Sequence, residues 1–178
     1  ITLSDIYNYM GEEFGISADI LKRMKDGEIS AEYKLCTVRR TGRELFNLAL
    51  AAGKRIVLTS DMYLEEDVLR NILIQNGYNG YERIFLSSSY GKLKATGALF
   101  KVVLKELDIA SNEILHIGDN RYNDVEMPAG LDIEAQYFPN AIDVFCNRIK
   151  DIYTGDAFKD IYCGTNALID SREVIKQI

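Results

Sequence analysis

Arg55-Ile-Val-Leu-Thr59, continued by Ser60-Asp-Met-Tyr63, is the stretch in which this chain stops reading as helix and starts reading as strand. It is a short β-branched run, and beyond it the pattern alternates. Asp67 to Asn76 carries a helical pattern, Arg83-Ile-Phe-Leu-Ser87 is a second strand, and Gly97 to Leu107 a second helix. Glu113-Ile-Leu-His-Ile117 and Asp132-Ile-Glu-Ala-Gln-Tyr137 repeat the strand signal, with Asn123 to Gly130 between them. Short apolar strands alternating with helices predict right-handed crossovers and an α/β fold, a doubly wound parallel sheet. Ligands of such sheets bind beyond the carboxyl ends of the strands, so the residues after each strand are where chemistry is to be sought.

Upstream, residues 1–52 read as helical. Ser4 or Asp5 is placed to cap a helix through Phe14, and Ser17 to cap Ala18 to Lys25. Ala31 to Ala52 carries Leu35, Val38, Leu45, Leu48 and Ala52 at helical spacing, and Gly15, Gly27 and Gly53 stand where helix ends are expected. Residues 140–178 read as a helical extension, with Tyr153, Phe158 and Tyr162 available to cover a sheet face or to link to a following domain. The expected organisation is a cap-like helical segment 1–52, an α/β core 53–139 and an extension or linker 140–178.

The composition narrows the function classes. The 178 residues carry 21 basic and 27 acidic side chains, a net charge of -6 and a pI near 4.9, which argues against a phosphate-backbone partner and so against nucleic acid. Cys36, Cys146 and Cys163 are odd in number and widely spaced, forming neither a disulfide framework nor a metal knuckle, and a reducing cytoplasm is expected. His116 is the only histidine, so multi-histidine metal centres are excluded and any metal is left to carboxylates, as a hard ion such as Mg²⁺. No apolar run approaches the roughly 20 residues of a membrane span, so no membrane partner is expected. The chain opens at Ile1 rather than methionine, and the expectation is a processed chain or an excerpt of a longer one.

Three strand ends carry chemistry. After the first strand, Ser60 offers a hydroxyl to a phosphate oxygen beside free backbone N–H groups, and Ser60 and Asp61 are candidate phosphate-binding residues; either also reads as a plain helix cap. After the second, Lys92 and Lys94 precede the Ala95-Thr96-Gly97 turn, and Lys94 is favoured as the charge that neutralises a phosphate. After the third, Gly118 is expected to permit a tight turn, with Asp119 and Asp124 as paired carboxylates that hold Mg²⁺ between them; the same residues also read as an Asp-Asn turn with a cap at Asn123 or Asp124. Hydroxyl, lysine and paired aspartates come after successive strands, and that order carries more than any one of them.

These residues resemble the haloacid dehalogenase (HAD) superfamily of phosphatases and phosphotransferases. Ile56-Val-Leu-Thr-Ser60 is similar to its motif II, Lys94 to motif III and Ile117-Gly-Asp119-Asn-Arg-Tyr-Asn-Asp124 to motif IV. Ser60-Asp-Met-Tyr-Leu64, Lys94-Ala-Thr-Gly97 and His116-Ile-Gly-Asp-Asn120 resemble a bacterial subgroup of HAD hydrolases sometimes attached to glycosyltransferases of surface polysaccharide synthesis. The resemblance spans Arg55 to about Pro139 and implies a Rossmann-like HAD core with 1–52 as a partial cap. It also implies Ser60 and Lys94 as catalytic residues on the phosphoryl oxygens, Mg²⁺ on Asp119 and Asp124, and a small phosphorylated substrate.

The family's motif I, an Asp-x-Asp pair on a central strand, is absent from this chain. Asp5, Asp19 and Asp26 lie in helical or turn patterns, and none has a partner two residues away on a strand. In the family one aspartate of that pair takes the phosphoryl group and the other handles the leaving-group proton. The expectation is a fragment whose parent carries motif I upstream and hydrolyses its substrate through an aspartyl-phosphate, with a fused glycosyltransferase domain as a partner there. The alternative is a non-catalytic interaction or regulatory module of a surface-polysaccharide protein. With the central strand missing, strands 55–59 and 113–117 must pair directly or leave open ladder edges, which invites a homodimer by strand addition.

Overall fold

A computed structural model describes residues 1–152, and the expected reading of 153–178, including Tyr153, Phe158, Tyr162 and Cys163, lies outside the described residues. The chain divides into two compact units, Ile1–Glu113 and Ile114–Ile178. The first holds helices α1 (Leu3–Phe14), α2 (Ala18–Leu35) and α3 (Arg40–Ala51), then β1 (Val57–Ser60), α4 (Glu66–Gln75), β2 (Arg83–Leu86), α5 (Ser87–Tyr90), a 3₁₀ turn (Lys94–Thr96) and α6 (Ala98–Leu107). The second holds β3 (Leu115–Gly118), a π-helical turn (Arg121–Glu126), α7 (Met127–Ala129), β4 (Glu134–Tyr137) and α8 (Ala141–Ile152). No helix among the described residues is long and apolar enough to cross a membrane.

The chain is α/β with short parallel strand pairs. Among the described residues β1 pairs only with β2, Val57 opposite Arg83, and β3 only with β4, Leu115 opposite Glu134. Among the described residues no third strand joins either pair, and residues 1–20, which hold α1 and the start of α2, donate none. β1, β3 and β4 each begin two residues further along than their apolar runs suggest, whereas β2 begins at Arg83 as expected and ends one residue earlier. At β1 the reason is that Arg55 is spent on a bidentate ion pair with Glu82, both bonds 2.8 Å, just outside the ladder. β2 buries Ile84, Phe85 and Leu86, the continuous apolar run of a strand covered on both faces.

The helical segment does not stand apart from the strands. Leu3 and Tyr7 of α1 form one buried cluster with Leu64, Val68 and Ile72, and Met10, Leu21, Ile29, Tyr33 and Met62 pack against it. α1 begins one turn earlier than Ser4 or Asp5 would place it. Thr2 is the cap, accepting from Asp5 N–H at 3.2 Å while Asp5 returns a bond to Thr2 N–H at 2.7 Å, a capping box. Gly15 ends the helix at φ 63°, as expected of a left-handed cap.

Two helix expectations are corrected. Gly27 does not end α2. The residues on either side of it are held by tertiary bonds, Lys25 to Glu65 at 2.9 Å and Glu28 from the hydroxyls of Tyr7 and Tyr63 at 2.8 and 3.1 Å, which outweigh its cost of roughly 1 kcal/mol. The pattern from Ala31 to Ala52 is not one helix either: it breaks between Leu35 and Arg40, where Asn76 Nδ2 donates to the Cys36 carbonyl at 3.0 Å and satisfies a terminal acceptor.

Candidate functional site

In the first unit Ser60 is the last residue of β1 and half-buried. Its Oγ accepts from Met62 N–H at 3.1 Å, turning the chain just beyond the strand. A serine hydroxyl that accepts in this way keeps its own O–H to donate. The turn is fixed further on: Leu64 is fully buried, and the Tyr63 carbonyl accepts from Leu3 N–H at 2.7 Å. Neither Ser60 nor Asp61 caps the next helix. α4 starts at Glu66 with Glu65 in the cap position and no side-chain cap bond, so the helix end expected beside Ser60 lies several residues away.

Asp61 brings the second candidate stretch to the first. Its carboxylate accepts the Lys94 backbone N–H at 3.1 and 3.3 Å, across 33 residues of sequence. Lys94 opens the 3₁₀ turn that runs to Gly97, whose φ of 70° needs the freedom of glycine, and Gly97 N–H closes the turn on the Lys94 carbonyl at 2.7 Å. Lys94 is half-buried, whereas Lys92 is exposed and precedes the turn. Of the two lysines, Lys94 is the one whose backbone is tied to the end of β1.

In the second unit Gly118 ends β3 and Asp119 follows as an exposed residue. The reason for the glycine differs from the expected tight turn. A Cβ on Gly118 would sit 2.4 Å from Asp124 Cγ and 2.5 Å from its Oδ2, so the missing side chain makes the space in which the Asp124 carboxyl lies. Successive side chains alternate across a strand, which puts His116 on the same face as Gly118. His116 Nε2 reaches Asp124 Oδ1 at 2.9 Å, and Asn120 N–H donates to Asp124 Oδ2 at 3.0 Å. Asp124 is 3% exposed. The cap of the following turn is Asn120, whose side chain accepts from Asn123 N–H at 2.8 Å, and not Asn123 or Asp124.

Carboxylate oxygens are the donors a hard cation takes, and Mg²⁺ is commonly held by one or two of them with water and substrate completing the shell. Asp119 and Asp124 carry such oxygens, Asp119 exposed and Asp124 buried with a hydrogen-bond partner on each oxygen. Among the described residues no group of three or more His, Cys, Asp or Glu side chains is arranged to hold a metal ion. The Arg121 guanidinium lies 4.0 Å from the Tyr137 ring centroid. Tyr137 in turn donates to Asp143 Oδ2 at 2.7 Å, and this bond raises the phenol's pKa.

No protein-family model matches this chain, and no curated protein matches it either.

Two participants escape the sequence reading. His116 counts there as the lone histidine and as the start of the His116–Asn120 string, with no partner assigned; its spacing of two from Gly118 on a strand is the available signal for a partner to Asp124. The bond from Asp61 to Lys94 has no signal, because nothing local says where a carboxylate 33 residues upstream will lie.

Proposed function

We propose that this chain is part of a HAD-like phosphatase, a phosphoric monoester hydrolase acting on a small phosphorylated metabolite. The observation that carries the reading is the bond from Asp61 to Lys94, which seats a lysine turn at the carboxyl end of a parallel strand that itself ends in a serine. A hydroxyl donor and an ammonium at a strand's carboxyl end are what a phosphoryl group's oxygens require.

In this reading Ser60 donates its O–H to one phosphoryl oxygen and Lys94 neutralises another. Mg²⁺, held by Asp119 and Asp124, supplies charge neutralisation for the transferring group when bound. His116 and the Asn120 N–H hold the Asp124 carboxyl in its orientation. The nucleophile belongs to an Asp-x-Asp strand of the parent: one aspartate attacks phosphorus as the ester P–O bond breaks, the second gives the departing alcohol its proton, and water then hydrolyses the aspartyl-phosphate. The cytoplasm, a fused glycosyltransferase and a role in polysaccharide synthesis belong to the same proposal.

The test is hydrolysis of an aryl phosphate by the parent protein that carries the Asp-x-Asp strand. Turnover is expected to require Mg²⁺ and to be abolished by Asp119→Asn and by Lys94→Ala. Unchanged turnover in Asp119→Asn would remove the metal role, and a parent without an Asp-x-Asp strand would remove the phosphatase.

A further inference from the structure

We infer that Asp61 is a positioning residue: its carboxylate fixes the backbone of the Lys94 turn, and with it the point from which the lysine reaches an oxyanion, without itself touching that oxyanion. This deepens the phosphatase reading and rests on it.

The first N–H groups of a helical turn have no partner within it and need an acceptor from outside. The residue in the cap position of the Lys94–Thr96 turn is Leu93, which has no side-chain acceptor and makes no cap bond. Asp61 supplies it from another part of the chain, with both carboxylate oxygens within 3.3 Å of Lys94 N. The rest of the turn is held internally: Thr96 Oγ1 donates to the Leu93 carbonyl at 3.1 Å, Leu99 N–H to the same carbonyl at 3.2 Å, and Gly97 N–H to the Lys94 carbonyl at 2.7 Å.

The anchor is itself rigid. Asp61 stands between a strand end and a turn pinned by Met62 N–H on Ser60 Oγ, by Leu3 N–H on the Tyr63 carbonyl and by the buried Leu64. A carboxylate facing an incoming phosphate would repel it, so a phosphate ligand in the Asp61 side chain is poor chemistry. The same carboxylate directed at an N–H makes a charge-assisted bond and spends its charge there. Asp61 is thereby moved from the expected phosphate-binding set to the support behind it, while Ser60 and Lys94 remain the groups that meet the oxyanion.

The test uses the full chain with orthovanadate in the presence of Mg²⁺, bound vanadate being read by ⁵¹V NMR and the Lys94 amide by hydrogen exchange. In Asp61→Ala the Lys94 amide is expected to exchange on the order of tenfold faster and the vanadate Kd to rise on the order of tenfold, the scale of one lost charge-assisted bond. Asp61→Asn is expected to restore both, because its carbonyl accepts the same N–H, and to bind vanadate at least as tightly as the native chain with one negative charge fewer. Native binding together with Asp61→Ala that binds as tightly or more tightly, the result of charge removal alone, overturns the positioning role and leaves the phosphatase standing. A native chain that binds no vanadate, with Ser60→Ala no different from it, overturns both.

Discussion

Glu65→Gln is the substitution whose effect can be worked most directly from the geometry. Glu65 Oε1 accepts from Ser4 N–H at 3.1 Å, from Ser4 Oγ at 2.5 Å and from Lys25 Nζ at 2.9 Å, and Lys25 also donates to Ser4 Oγ at 2.6 Å. The two charged side chains are 26% and 25% exposed. Burial pushes the Glu65 carboxyl up, but the bonds from Lys25 and Ser4 together outweigh it and hold the group at about 2 against an ordinary 4.5. Taken whole, that difference corresponds to about 3 kcal/mol. Because a quarter of each side chain meets solvent, screening reduces this to about 1–2 kcal/mol.

Glutamine keeps an acceptor for Ser4 and removes the charge opposite Lys25. At pH 7 the urea midpoint should therefore fall by about 0.5–1 M for a slope near 2 kcal/mol/M. The sign of the pH dependence comes from a folded value depressed below the unfolded one. The stabilisation is fully present above about 4.5 and is lost as pH falls towards 2, because the unfolded chain takes up the proton first. The gap between native and variant midpoints should shrink by about half or more between pH 7 and pH 3. Equal gaps at the two pH values, or none at pH 7, would refute the assigned charge pairing.

Two further outcomes are expected. Gly118→Ala forces the Asp124 side chain out of its space and should cost about 1–3 kcal/mol in urea unfolding; with Asp124→Ala as background the cost should largely vanish, and additive costs would show that the two do not compete. Leu64→Ala empties a fully buried position shared with Leu3, Tyr7, Val68 and Ile72 and should cost about 2–5 kcal/mol, whereas a loss under 1 kcal/mol would mean that the segment after β1 is not clamped by this core.

Sequence alone determined the alternation of strands and helices after residue 54, the parallel sense of each pair through its crossover, the left-handed helix end at Gly15 and the placing of Ser60 and Asp119 at strand ends. Each of these depends on period, β-branching or glycine within a window of a few residues, where local sterics and local hydrogen bonds dominate. Tertiary structure decided the rest: the continuation of α2 through Gly27, the break after Leu35, the use of Gly118 as a space for Asp124, and the capping of the Lys94 turn by Asp61. The break and the cap are made by groups 40 and 33 residues apart, and α1 is tied to Glu65 across 61. A donor or a void supplied from such a distance leaves no mark on local periodicity, because only the folded chain brings its two halves together.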